Sequence, residues 1–504
     1  MLAPVAPAAQ VWIHHAPWSA SSIRRGRQVA WIALAAFALV LWFAVPHGIG
    51  ASWRECDTQA IARNFVLDGF DPLRPRVDWR GDTDGAVECE FPLYQLLVAS
   101  VLHGVGLVEW PGRVLSLLTT LLAAVALHRL LERRCGPAGA IAGLLTFLAS
   151  GSAALLATHV VPDGLSLAFS NLALLTFVRY LATGGLVPLL VAIAATTLAG
   201  LQKPLALQVG LVLFGWTAAL APRRLRDGRL WLGLAIPPAI VAAWLVHGAQ
   251  LHAETGLSFG VVSGGDTKFP DLAHLCSAST WCELLLTTLR YGFPVFAVMA
   301  LAMLSLRRRL DAADIILLLA SAAGLMVSLR YSSTEALGPH YHAFAAAAGA
   351  WTVARAWPER PRPWLWFLFL FFVAMHAGWR ARYERGLRMV VNHQPIVTAA
   401  RTITPQLRPT DRLLVRSEKP RVDVGWNRQQ NIEDPRFFAL TGHRGFVVAA
   451  DEWDVTTLDD RRRRGATVVV DSLPAATPDP VRAWLANHGD LLYDTAEIQV
   501  HRLH

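Results

Sequence analysis

The sequence predicts an all-α polytopic membrane bundle of about eleven transmembrane helices, with interfacial helices in the first outer loop and a small C-terminal α/β domain. Three observations carry that reading. Of 504 residues, 54% are hydrophobic and only 16% charged, which is too apolar for an ordinary soluble chain. Apolar runs close to the length that crosses about 30 Å of hydrocarbon recur as far as Trp379. Beyond it those runs stop, and short strand-like pieces alternate with helical ones.

The first run, 29–46, follows Arg24, Arg25 and Arg27 and reads as a retained anchor, leaving residues 1–27 cytoplasmic. Further runs lie at 111–131, 138–158, 163–182, 186–202, 204–221, 230–249, 285–306, 313–330, 341–357 and 363–379. The apolar piece 91–108 is interrupted by Gln95 and His103. It reads as interfacial because basic clusters at Arg133–Arg134, Arg223–Arg224, Arg307–Arg309 and Arg360 then share the side of the basic N-terminus. The net charge of +9 is thus a topology signal, not a sign of nucleic acid. The spans form a domain over 28–380, with an outer acidic loop at 47–110. The tail, 386–504, contains RLLVR, GFVVA, ATVVVD and EIQVHRL as strands and VTTLDDRRRR and PVRAWLANHG as helices; an odd span count hangs it outside.

The same parity sorts the cysteines. Cys56 with Cys89, and Cys276 with Cys282, fall on the oxidising side and are expected to form bridges, the alternative being unpaired small apolar residues, since connectivity is not written in the sequence; Cys135 falls on the reducing side alone.

The acidic loop carries Glu55, Asp57, Asp68, Asp71, Asp78, Asp82, Asp84, Glu88 and Glu90. Carboxylates are costly in a bilayer, so these sit in water at the membrane face, where a lipid-borne and a water-borne substrate can meet. Asp57 is the leading general base: it opens DTQAIARNFVLDG, and at a wet helix start it stays ionised near neutral pH, although helix capping also explains an aspartate there. Asp163, in VPDGLSL, returns to the same face. It could bind the acceptor, orient the base, hold a divalent cation or cap a helix. Glu90 and Tyr94, in EFPLY, are candidates for substrate contact: Glu90 could position a sugar or equally be a solvated loop acid, and Tyr94 could sit at the interface as an anchor. Lys203 lies between two apolar runs with no acid near it in sequence. Arg330, His340 and Tyr341 stand at the outer ends of later runs; with Lys203 they are the cations and polar groups that could take a phosphate, or else snorkel to lipid. No nucleotide-binding glycine loop and no HExxH pair occurs, so an activated group would arrive in the lipid phase.

The order of first span, loop with Asp57, EFPLY, Arg113 and VPDGLSL with Asp163 resembles the C-type (GT-C) membrane glycosyltransferases, in particular protein O-mannosyltransferases, the lipid A aminoarabinose transferase and the bacterial glycosyltransferase family 39-like proteins. The resemblance covers about 28–380. It implies an inverting transfer of a hexosyl or pentosyl group from a polyprenyl-phosphate donor to a hydroxyl on a glycan, lipid or protein acceptor. Membrane lipids are the other partner and no cofactor is required, though a divalent cation could join. It places the protein in the bacterial inner membrane with the tail periplasmic. It matches Asp57 to the base and Asp163 to the second acid, and EFPLY departs from the family's lysine-containing pattern at Glu90 and Phe91. The rivals are a secondary transporter of an amphiphilic or anionic solute and a membrane-anchored scaffold. The acids gathered in one extramembrane loop argue against the first, and the number of spans against the second.

Overall fold

The computed structural model describes residues 18–45, 52–263, 269–334, 338–423, 428–429 and 431–504. Among the described residues, five helices are long and apolar enough to cross a membrane: Ala20–Phe43, Trp110–Ala149, Asp163–Thr183, Gly228–Thr255 and Pro363–Val391. A sixth span arises if Ala278–Gly292 and Val295–Leu306, bent by 100°, count as one. The protein is an integral membrane protein with a mostly helical fold.

Two runs read as single spans are broken. The 285–306 run bends where Pro294, which lacks an N–H and forces its predecessor out of the helical region, separates its halves. The 138–158 run is interrupted at Ser150, which leaves the helix and caps Gly151–Thr158. The helix of the 111–131 run breaks at Gly136, whose φ of 73° and ψ of 178° are non-helical, and a second helix starts at Pro137 and runs to Ala149. Leu93–Val105, in the piece read as interfacial, has 13 residues; at 1.5 Å each that is about 20 Å, short of a bilayer core.

The contacts divide the chain into two compact units. One comprises residues 1–46, 113–243 and 268–385. Its core packs alanine and leucine faces around Trp216 and Trp351, while Phe43, Leu306 and Phe367 lie exposed, as lipid-facing side chains would. Several basic residues read as topology signals are also structural. Asp311 and Asp314 form a capping box at the start of Ala312–Val327. Arg134 pairs with Asp311, and buried Asp314 accepts from Trp351 Nε1 at 2.8 Å and Arg355 Nε at 3.0 Å. Arg113, which opens the second long run, donates to the carbonyls of Leu41 and Val45 and so caps the first helix.

The second unit gathers residues 47–112, 244–267 and 386–504, so the acidic loop and the tail fold together. The tail holds β1 (Arg412–Arg416), β2 (Arg444–Val448), β3 (Val468–Asp471), β4 (Gly489–Asp494) and β5 (Gln499–Leu503), in the sheet order β2-β1-β3-β5-β4. The first three are mutually parallel, joined by helical crossovers, and β5 and β4 run antiparallel at one side. The strands expected from RLLVR, GFVVA, ATVVVD and EIQVHRL are present; β4, with its exposed Leu491, lacks the buried valine run that marks β3. The loop covers the outer edge of β2: Gly81 N–H donates to Gly445 O at 2.8 Å, and Gly445 N–H to Asp78 O at 3.1 Å. Arg444 bonds Asp68 at 2.7 Å, and Arg412 bonds Asp82 at 3.2 Å. Buried Glu88 accepts from Ser258 Oγ and from the amides of Val262 and Ser263, clasping the 256–263 segment to the loop.

Neither expected disulfide is formed; all five cysteines are thiols. Cys56 and Cys89 are buried, and Cys89 Sγ donates to the carbonyl of Glu90 at 3.2 Å. Cys276 and Cys282 lie exposed on separate helices, Leu272–Cys276 and Ala278–Thr287, between which Ser277 starts a new cap.

Candidate active site

Asp57 belongs to the second unit, on the helix Trp53–Asp68. That helix begins where Ser52 accepts from Glu55 N–H and donates to its carboxylate, and ends at Gly69, whose φ of 99° favours glycine. Ser52 is therefore the cap, and Asp57 lies a turn further in. The expectation of a wet, ionised carboxylate does not hold: Asp57 is 6% exposed. Its Oδ1 accepts from Trp79 Nε1 at 3.0 Å. Burial pushes the carboxyl up to about 7, helped by Asp78 and Asp434 and opposed by the Trp79 hydrogen bond and Arg54. A base with that affinity is half ionised at neutral pH and accepts a proton with useful driving force.

Around it, Arg54 Nη2 bonds Glu90 at 2.8 Å, so Glu90 is held on the Asp57 helix as half of an ion pair. Asp78 is gripped by Arg63 and Asn64. From the tail, Asp434 adds to the field at Asp57, and Lys419 stands 4.9 Å from the Trp53 ring, one helical turn before Asp57. Tyr94 is not an interfacial anchor. It is fully buried, and its hydroxyl donates to Gly112 O at 2.7 Å, which ties the start of Leu93–Val105 to the start of the next helix.

The second cluster lies in the first unit and joins four residues singled out from the sequence. Asp163 is the first residue of Asp163–Thr183 and is buried. Lys203, the residue that ends Leu186–Gln202, is not without an acid: its ammonium pairs with Asp163 Oδ1. Lys203 Nζ sits 4.1 Å from the centroid of the Tyr341 ring, and His340 lies against the same ring at 4.5 Å. Asp163, Lys203, His340 and Tyr341 line one small cavity of about 30 Å³ with Ser166 and Gln208. Arg330 is not among its lining residues; its neighbour Tyr331 stacks on Tyr341 at 5.9 Å. Trp79, Arg54 and Asp434 were missed from sequence. The only cue for Trp79 was an aromatic set among acids in VDWRGD, a poor place for a merely solvated side chain.

The sequence model of the dolichyl-phosphate-mannose-protein mannosyltransferase family matches residues 91–247, under half of the chain. None of the curated proteins matches. Among solved structures, ArnT from Cupriavidus metallidurans in the apo state is similar at TM-score 0.59 and 15% identity, covering 93% of this chain and 97% of its own. ArnT bound to undecaprenyl phosphate is similar at TM-score 0.54 and 16% identity, with the same coverage. The mycobacterial arabinofuranosyltransferase AftD matches at TM-score 0.56 and 13% identity, over 95% of this chain and 40% of its own. At these identities the likeness shows a shared fold, the one common to ArnT and AftD.

Proposed function

We propose that this protein is an inverting GT-C glycosyltransferase of the bacterial inner membrane, moving a hexosyl or pentosyl group from a polyprenyl-phosphate donor to an acceptor hydroxyl on the outer face. The observation that carries the reading is Asp57, a buried carboxylate held by Trp79 with its proton affinity set near neutrality. The undecaprenyl phosphate bound by the similar ArnT supports a lipid-linked donor. In this scheme the spans number about eleven, the N-terminus is cytoplasmic and the tail is periplasmic.

The acceptor hydroxyl gives its proton to the Asp57 carboxylate as its oxygen attacks the anomeric carbon. The bond from that carbon to the phosphate oxygen breaks, and its electron pair leaves with the polyprenyl phosphate. One displacement inverts the anomeric centre. Within the first unit, Lys203, held by Asp163 and the Tyr341 face with His340 against the same ring, is a cation with the chemistry to take a phosphate. Asp163 is then a positioning residue for the ammonium.

The test is transfer from radiolabelled polyprenyl-phosphate sugars by purified protein in lipid, comparing wild type with Asp57→Asn. Transfer by wild type and its loss in the variant are expected. No transfer by wild type with hexosyl or pentosyl donors, or undiminished transfer by the variant, overturns the proposal. Adding a chelator or Mg²⁺ in the same assay tells whether a cation takes part.

A further inference from the structure

A cavity of about 390 Å³ lies within the second unit, bounded by the acidic loop, the 252–258 segment and the tail. That volume lies in the range of small-ligand sites. Four arginines, Arg80, Arg421, Arg461 and Arg464, line it against two acids, Asp82 and Glu433. The floor carries the buried residues Trp79, Phe446 and Glu433; the rim carries the exposed Arg421, Arg464 and Asp82. Trp79 is the wall shared with the base, because its indole N–H is the group bonded to Asp57.

The rim arginines are already paired, Arg421 with Glu452, and Arg464 with Asp82 at 3.4 Å and Asp460 at 3.1 Å. These are solvent-exposed pairs, weak in water, so a ligand anion can displace the carboxylates at little cost. Arg461 is more constrained, its guanidinium 5.6 Å from the Phe446 ring centroid and bonded to Asp460. Arg80 is fixed by Nε to Val77 O at 2.8 Å and Nη1 to Asp68 at 3.0 Å. The cavity thus offers two adjustable guanidinium groups at its mouth and two fixed ones behind. Thr83 and Thr255 also line it, their hydroxyls donating to the carbonyls of Arg80 and Ala86.

We infer that this cavity is the acceptor subsite and that it takes an anionic glycan, a sugar bearing a phosphate or carboxylate, with the anion on Arg421 and Arg464 and the sugar toward Trp79. Its role as acceptor subsite rests on the glycosyltransferase reading, but the binding site stands on the lining alone.

Isothermal titration of the purified full-length protein in detergent tests it, with mannose 6-phosphate, glucuronic acid, mannose and inorganic phosphate as probes. The charged sugars should bind, and mannose should bind about tenfold more weakly or worse. The double variant Arg421→Gln/Arg464→Gln should lose about tenfold in affinity for the charged sugars, while Arg421→Lys/Arg464→Lys keeps most of the affinity for the phosphate sugar, since an ammonium serves phosphate as a point charge. In the transfer assay, the glutamine pair should raise the acceptor KM with kcat retained. Equal affinity for mannose overturns the anionic specificity, and inorganic phosphate binding as tightly as mannose 6-phosphate overturns the glycan subsite. If transfer proceeds while the glutamine pair leaves binding and KM unchanged, the cavity assignment falls and the glycosyltransferase reading stands. If the charged sugars bind but no donor supports transfer, that reading falls and the anion site stands.

Discussion

Replacing Asp57 by asparagine should stabilise the fold, and by an amount set by pH. The side chain is buried, its carboxyl is raised from 3.8 to about 7, and an asparagine oxygen can still accept from Trp79. A carboxyl with a raised folded-state pKa binds its proton more tightly folded than unfolded. Its stability cost is therefore absent below about 3.8, grows as pH rises through the window between the two values, and is complete above about 7. Each tenfold gain in proton affinity corresponds to about 1.4 kcal/mol, so a rise from 3.8 to about 7 sets the full cost at about 4 kcal/mol. The expected gain for Asp57→Asn is about 4 kcal/mol near pH 8, about 2 near pH 5 and about 0.5 near pH 4. Thermal unfolding of both proteins in the same detergent, followed by tryptophan fluorescence at those pH values, measures the trend. A gain that does not shrink with acid, or a variant less stable than wild type near pH 8, would refute the account of Asp57 as a desolvated base.

Two further outcomes follow from the same geometry. The Trp79 hydrogen bond lowers the Asp57 proton affinity, so Trp79→Phe should move the acidic limb of the kcat/KM profile to higher pH, and a limb that stays near 7 counts against Trp79 as its tuning partner. Lys203→Gln removes the cation paired with buried Asp163 and should destabilise by about 3 to 5 kcal/mol, whereas Lys203→Gln with Asp163→Asn should recover much of that loss in a double-mutant cycle read by thermal unfolding.

Elements whose physics is local were legible. Apolar length exposed the helices, and valine-rich runs exposed three of the four strands expected in the tail as core strands. A lysine between two apolar runs is conspicuous by its cost, which is why Lys203, Asp163, His340 and Tyr341 could be named before their convergence was visible. What stayed hidden was the state of Asp57. Its hydrogen-bond partner Trp79 lies more than twenty residues along the loop, and the like charge of Asp434 comes from the tail, so one carboxylate among many loop acids reads as wet from the sequence. The same blindness produced the expected bridges: compartment parity says where thiols could oxidise, while pairing depends on backbone approach that spacing does not encode. Prolines and serines inside apolar runs were visible, but whether a break bends a helix by 100° is decided by packing.

The stitching of the acidic loop to strand β2 has a consequence for biosynthesis. Arg444 follows its partner Asp68 by 376 residues, which a ribosome making roughly 5 to 20 residues per second takes about 20 to 75 s to add. Throughout that interval the loop waits without its mate. A chain that stalls before β2 is made lacks Arg444 and Gly445, and so leaves Asp68 without one of its two arginines and the backbone of Asp78 and Gly81 without their strand partner.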